Sequence, residues 1–339
     1  MKSYVRLLTL VLVAMSTAAA VLSGQVAAPP PWAYGFTAGG TEPAAPPCAK
    51  DAKPLDCARI GAPRPKDVIH KLPGTDKTFP EYDIHFDYGP ADWYPEDHPP
   101  MPEIVARGRE ADKVRACGLC HFPNGQGKPE NAPVAGQSAV YILQQLQAFR
   151  NGTRRSAEPR KANTNEMIQI ARSLTKAEMK AAADYFSSIT WRPWIRVVET
   201  DSVPKAKPGM NGLFLPQPGN ETEPLGTRIL EVPENPDFTE RARSPHSGMV
   251  AYVPVGSIKR GEELVTTGGG KTVQCALCHG PELQGNAKVP AIADRQATYV
   301  VRQLYDMQAG TRESPAMKKA VATLSEDDMI AIAAYLASK

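Results

Sequence analysis

Apolar residues recur at helical spacing in two matching sets along the chain, separated by two long intervals where that period is lost. Residues 138–150 and 296–308 each predict a helix, and a closing helix follows each of them. The closing helices start at Thr175 with Glu178 three positions on, and at Ser325 with Asp328 in the matching place, both reading as capping boxes. Met179, Ala182, Ala183 and Phe186 then have helical spacing. Upstream, Pro102 suits a first helical turn, so residues 104–114 are expected to form a short helix, with residues 258–265 as its counterpart. Of the 33 prolines, 24 fall in residues 25–101 and 191–247, which rules out helical domains there. Those two intervals hold all four tryptophans, Trp32, Trp93, Trp191 and Trp194, together with Tyr94 and an apolar alternation around Ile229, Glu231 and Val232. Side chains of that kind are usually buried against a neighbour, so the intervals are expected to be extended arms wrapped over the helical parts. The pattern predicts an all-α chain: domains at 102–190 and 248–339, an N-terminal arm at 25–101, and an inter-domain arm at 191–247.

The two domains are copies of one another. Tyr141, Gln145, Leu146 and the run Gly152-Thr153-Arg154 reappear 158 positions later as Tyr299, Gln303, Leu304 and Gly310-Thr311-Arg312. Beyond that point the offset falls to 150, taking Met167, Leu174, Met179 and Tyr185 to Met317, Leu324, Met329 and Tyr335. Eight additional residues therefore lie between Arg154 and Met167 in the first copy. A period this long marks a duplicated domain rather than a solenoid array.

Each copy carries the pattern Cys-x-x-Cys-His, as Cys117, Cys120 and His121 and again as Cys275, Cys278 and His279. This is the attachment signature of a c-type haem. Two thiols three residues apart can add to the two vinyl groups of one porphyrin, and the histidine beside the second thiol lies where its imidazole reaches the iron. A redox dithiol would not need the histidine. A zinc site would need four ligands, whereas each motif brings a complete set for one haem. Two covalently attached haem c groups are expected.

The sixth ligand to each iron must come from a further side chain. Histidine is excluded by counting, because His70, His85, His98 and His246 all lie in the arms and none is duplicated. Two methionine pairs are duplicated, Met167/Met317 and Met179/Met329. The second pair sits on the apolar stripe of the closing helix, where methionine is ordinary core filler. Met167 and Met317 precede Leu174 and Leu324 by seven residues, in a stretch read as an irregular loop ahead of that helix, and are the expected ligands. Met307 matches Phe149 and reads as core.

In these features the chain resembles the class I cytochromes c in their tandem dihaem form, often called the c-four type. The resemblance rests on the haem motifs, the Gly-Thr-Arg turn, the methionine before a Leu-Thr or Leu-Ser cap, and the ending Ala-Ala-Tyr-Leu-Ala-Ser at 333–338. It implies two small all-helical haem domains facing each other and passing single electrons in the periplasm. The long arms are a departure from that family, whose members join their domains by a short linker.

Residues 1–24 read as a cleaved secretory signal: Lys2 and Arg6 begin it, an apolar stretch follows, and Ala18, Ala20 and Gly24 offer small residues for cleavage. The apolar stretch is shorter than the roughly 20 residues a membrane span needs, so a periplasmic protein, soluble or peripherally membrane-associated, is expected. Four cysteines serve the haems, and the remaining pair, Cys48 and Cys57, reads most simply as a disulfide closing a small loop of an exported protein. The net charge of +3 is spread over 39 basic and 36 acidic side chains with no basic run to follow a phosphate backbone, so nucleic acid is not an expected partner.

Histidine/methionine ligation fills both axial positions and favours electron carriage over catalysis. The expected function is a dihaem electron-transfer protein, not itself an enzyme. It would take electrons from a quinol-oxidising complex or dehydrogenase and deliver them to an oxidase or reductase, on its own or as the cytochrome subunit of an exported dehydrogenase. The alternative is a dihaem enzyme, a peroxidase or a thiosulfate-oxidising cytochrome, which would need an open or differently ligated haem.

Overall fold

Both helical domains are assembled from locally specified helices. Ser138 caps helix Ala139–Asn151 by accepting from the Tyr141 amide at 3.0 Å, and Gly152 closes it in the left-handed conformation that favours glycine. Its counterpart is helix Ala297–Gln308. The closing helices, Lys176–Ser188 and Glu326–Ala337, begin with complete capping boxes at Thr175/Glu178 and Ser325/Asp328. This computed structural model describes residues 28–40 and 48–339. The expected signal segment, residues 1–24, lies outside the described residues.

Two elements differ from the sequence reading. Residues 104–114 do not form one helix: a turn of helix at Glu103–Ala106 gives way to a 3-10 turn at Glu110–Asp112. The cause is Gly108, with φ of 65°, where the chain folds back so tightly that a Cβ would lie 2.3 Å from the Val114 carbonyl oxygen. In the second copy, helix Ser257–Thr267 runs on uninterrupted, ending at Gly268. Met167 and Met317 are also not in loops. They lie within helices Ala162–Ser173 and Pro315–Val321. The first of these was hidden because its apolar stripe, Met167, Ile170 and Ala171, is confined to its second half and shares the buried side with Glu166 and Gln169.

The described parts of both arms carry short strands, a departure from an all-α chain, and helix is confined largely to the haem domains. In the inter-domain arm, Ile195–Glu199 runs parallel to Met249–Val253 at the start of the second domain, which pairs antiparallel with Leu230–Pro233 of the arm. Ser202–Pro204 pairs with Thr222–Pro224, and Ala206–Pro208 with Phe214–Pro216. Each of these short pairs stops at prolines, which have no N–H to continue a ladder. Described segments of the N-terminal arm contact both haem domains. Trp32, Tyr34 and Phe36 pack on the core of the second haem domain, where the Tyr34 hydroxyl donates to Asp306 at 2.7 Å. Further along, Cys48 and Cys57 are bridged, and the turn Pro54–Cys57 packs against helix Ala162–Ser173, where Gln169 donates to the Ala49 carbonyl at 3.1 Å. Trp93 is buried between the arms and donates to the Ala242 carbonyl at 2.7 Å.

Candidate metal centres

The first motif forms a single helical turn, Cys117–His121. Cys117, Cys120 and His121 thereby line one cavity of about 450 Å³, whose walls include Met167, Ile142, Leu146, Phe149, Ile170 and Leu174. His121 Nδ1 lies 2.9 Å from the Ala132 carbonyl oxygen. A carbonyl only accepts, so Nδ1 carries the hydrogen and the Nε2 lone pair is left for a metal. Burial lowers the His121 pKa, which keeps the ring in the neutral, ligating form. The second copy repeats the device: His279 Nδ1 donates to the Pro290 carbonyl at 2.8 Å, and burial lowers its pKa too. Cys275 and Met317 pack against one core cluster in this domain, as Cys117 and Met167 do in the first.

The other candidate methionines are core residues, Met179 at 4%, Met329 at 1% and Met307 at 7% exposure. The arm histidines have ordinary partners: His70 meets Glu81 at 2.9 Å, His98 meets Asp92 at 3.3 Å, and His246 meets Asp97 at 2.5 Å. His85 does reach the wall of the first cavity. There its Nε2 hydrogen is donated to the Arg241 carbonyl at 2.9 Å, and burial with Arg243 and Arg64 nearby pushes its pKa down to about 3.

The domains meet through the duplicated Gly-Thr-Arg turns. Arg154 donates to Gln145 in its own domain at 2.9 Å and to Tyr299 and Gln303 of the other at 3.1 and 3.0 Å. Arg312 mirrors it, donating to Gln303 at 2.7 Å and to Tyr141 and Gln145 across the junction at 2.7 and 3.0 Å. The backbones join as well, since the Arg155 amide donates to Thr311 and the Glu313 amide to Thr153, each at 2.8 Å. Both guanidiniums are buried, yet among the described residues neither forms an ion pair with a carboxylate. Two buried cations whose hydrogen bonds go to amide and phenol oxygens, Arg154 also stacking over the Phe149 ring at 4.4 Å, form a donor set suited to anions, such as the propionates of two haems. The residues present therefore fit the group: two thiols, a neutral imidazole with a free lone pair, a thioether, apolar walls and buried cations. The repeat itself carried the signal for the junction arginines, but spacing alone did not show that the turns face each other.

The family "Cytochrome c" matches residues 105–190, and "Cytochrome C oxidase, cbb3-type, subunit III" matches residues 256–336. The chain is 33% identical over 78 residues to cytochrome c-554(548) of Halomonas halodenitrificans, spanning 23% of this chain and 88% of that protein. The chain belongs to the cytochrome c family. It is a tandem cytochrome of the dihaem type, and it carries two covalently attached haems c. Cytochrome c4 of Azotobacter vinelandii is 25% identical over 232 residues, covering 66% of this cytochrome and 84% of its own length. The thiosulfate dehydrogenase electron acceptor of Stutzerimonas stutzeri is 38% identical over 88 residues, and this cytochrome spans only 38% of its length.

Proposed function

We propose that this cytochrome is a periplasmic one-electron carrier in which His121 and Met167 ligate one iron and His279 and Met317 the other. Each haem, when bound, supplies a ferric/ferrous couple. The observation that carries the reading is the repeated geometry of an imidazole fixed through Nδ1 with a thioether packed on the same core; these two residues would hold the iron and would leave it no open position for a substrate. Donors of the dehydrogenase or quinol-oxidising class and acceptors of the oxidase or reductase class fit such a carrier. The relative described as a thiosulfate dehydrogenase electron acceptor favours a dehydrogenase as donor. Export is supported by the charged and apolar start of the sequence, and no helix among the described residues is long and apolar enough to cross a membrane. The test is a redox titration of the holoprotein under visible and far-red detection. Two one-electron steps, with sulfur-to-iron charge-transfer absorption for two haems in the oxidised form, are expected. Binding of carbon monoxide to a resting ferrous haem would refute closed coordination and restore the enzyme alternative.

A further inference from the structure

The two haem motifs differ sharply in their surroundings. Leu119 and Leu277 occupy the same place in the two motifs, yet Leu119 is 6% exposed and Leu277 72%. Likewise Arg115, packed under the N-terminal arm with Asp87 at 3.0 Å, is matched by Val273, which is 55% exposed. The Ala116 amide also donates to the Asp87 carbonyl at 2.9 Å, tying the first motif to the arm. Residues 59–64, Tyr82 and residues 85–88 contribute to the wall of the first cavity, as do Met210 and Arg243 of the second arm and Arg302 of the second domain. A protein-sized partner thus meets the second motif directly and the first only through covering chain.

We propose that the second haem site is the port through which this cytochrome exchanges electrons with an acidic redox protein, and that the first site, covered by the arms, is served across the junction and holds the electron more tightly. The proposal rests on the dihaem carrier reading above. Nine basic side chains against five acidic ones line the first cavity, an excess that remains if Lys161, whose pKa burial lowers, is set aside. Cations and exclusion of water both disfavour the more positive ferric state, so the first site favours ferrous iron. Around the second motif, Lys288, Lys318 and Lys319 are exposed and, among the described residues, form no ion pair. Lys288 sits in the loop whose Asn286 donates to the Cys278 carbonyl at 3.3 Å, while Lys318 and Lys319 follow Met317 on its helix. Glu282 and Glu313 oppose them. Val273 and Leu277 form an exposed apolar centre with Lys288 on the loop bonded to Cys278 and Lys319 on the helix whose Ala320 carbonyl accepts from Thr272 at 2.7 Å, a surface that complements a partner presenting carboxylates. The step balances as one electron leaving the reduced partner for ferric iron at the second site, then passing to ferric iron at the first.

The test mixes fully oxidised holoprotein with reduced flavodoxin, an acidic flavoprotein, and follows both ferric signals by freeze-quench paramagnetic resonance. Met167→His and Met317→His variants assign the signals. The second-site signal is expected to fall first, at a rate proportional to flavodoxin concentration. The first-site signal should follow at a rate independent of it, and with less than one electron per molecule the electron should settle at the first site. Leu277→Glu should slow entry by about tenfold, since like charge now faces the partner, while Ile69→Glu on the arm should change it by less than about twofold. A first-site rate that scales with flavodoxin, or an electron resting at the second site, overturns the proposal while leaving the carrier reading intact. Absence of either His/Met ferric signal from the starting protein overturns the carrier reading and this inference with it.

Discussion

Replacing Met167 and Met179 separately by alanine distinguishes ligand from core filler, because the two side chains sit in different helices of one domain. Met167 is partly buried and packs against the first core from helix Ala162–Ser173, lining the cavity that holds His121. Met179 is 4% exposed, inside the closing helix. Truncating it removes buried methylenes and the thioether, which costs about 2–5 kcal/mol of stability when the cavity does not collapse. Its effect on the iron should be nil. Met167→Ala should instead remove about half of the far-red charge-transfer absorption of the oxidised protein, since two sites contribute equally, and should lower the potential of one haem. Chemical denaturation, far-red spectra and a redox titration on the same samples separate the two outcomes. The reasoning fails if Met179→Ala halves the far-red absorption and Met167→Ala leaves it whole.

Asp328 caps the final helix and pairs with Lys271 at 2.7 Å and Arg260; against the upward push of burial, these partners hold its pKa at about 2. A depressed carboxylate stabilises the fold above its unfolded value near 3.9 and loses that contribution as pH falls toward 2, so Asp328→Asn should cost about 2 kcal/mol at neutral pH and flatten stability across that acid window. Arg154→Gln removes a cation from the wall of the first cavity and should lower that haem's potential more than the other's, as read by spectroelectrochemistry. Cys48→Ser with Cys57→Ser opens the small loop against the Met167 helix and should cost about 2–3 kcal/mol in thermal unfolding while leaving both haems attached.

The helices with strong caps were legible from sequence because their signals are local. Ser138, Thr175 and Ser325 each bond an amide within the next three residues, and the structure places those helices where the spacing did. The motif cysteines and histidines were legible for the same reason. What local pattern could not carry was anything decided across the fold. Gly108 breaks an otherwise helical stretch because residues 109–114 turn back upon it. Helix Ala162–Ser173 escaped notice because Glu166 and Gln169 are buried on it, Gln169 facing the disulfide loop of a distant arm. The strands of the second arm depend on pairing between residues 195–199 and 249–253, which no short window contains.

The contact between Tyr34 and Asp306 also orders events during the protein's biosynthesis. The arm leaves the ribosome first, but its anchoring helix, Ala297–Gln308, is among the last segments made, 272 positions later. Until that helix exists, the strap formed by Trp32, Tyr34 and Phe36 has nothing to grip, whereas the turn Pro54–Cys57 can already dock on helix Ala162–Ser173. The two anchors of the arm therefore become available far apart in time, the cover over the first motif before the strap on the second domain. A chain ending before residue 297 should leave residues 32–36 open to limited proteolysis while the turn at 54–57 stays protected.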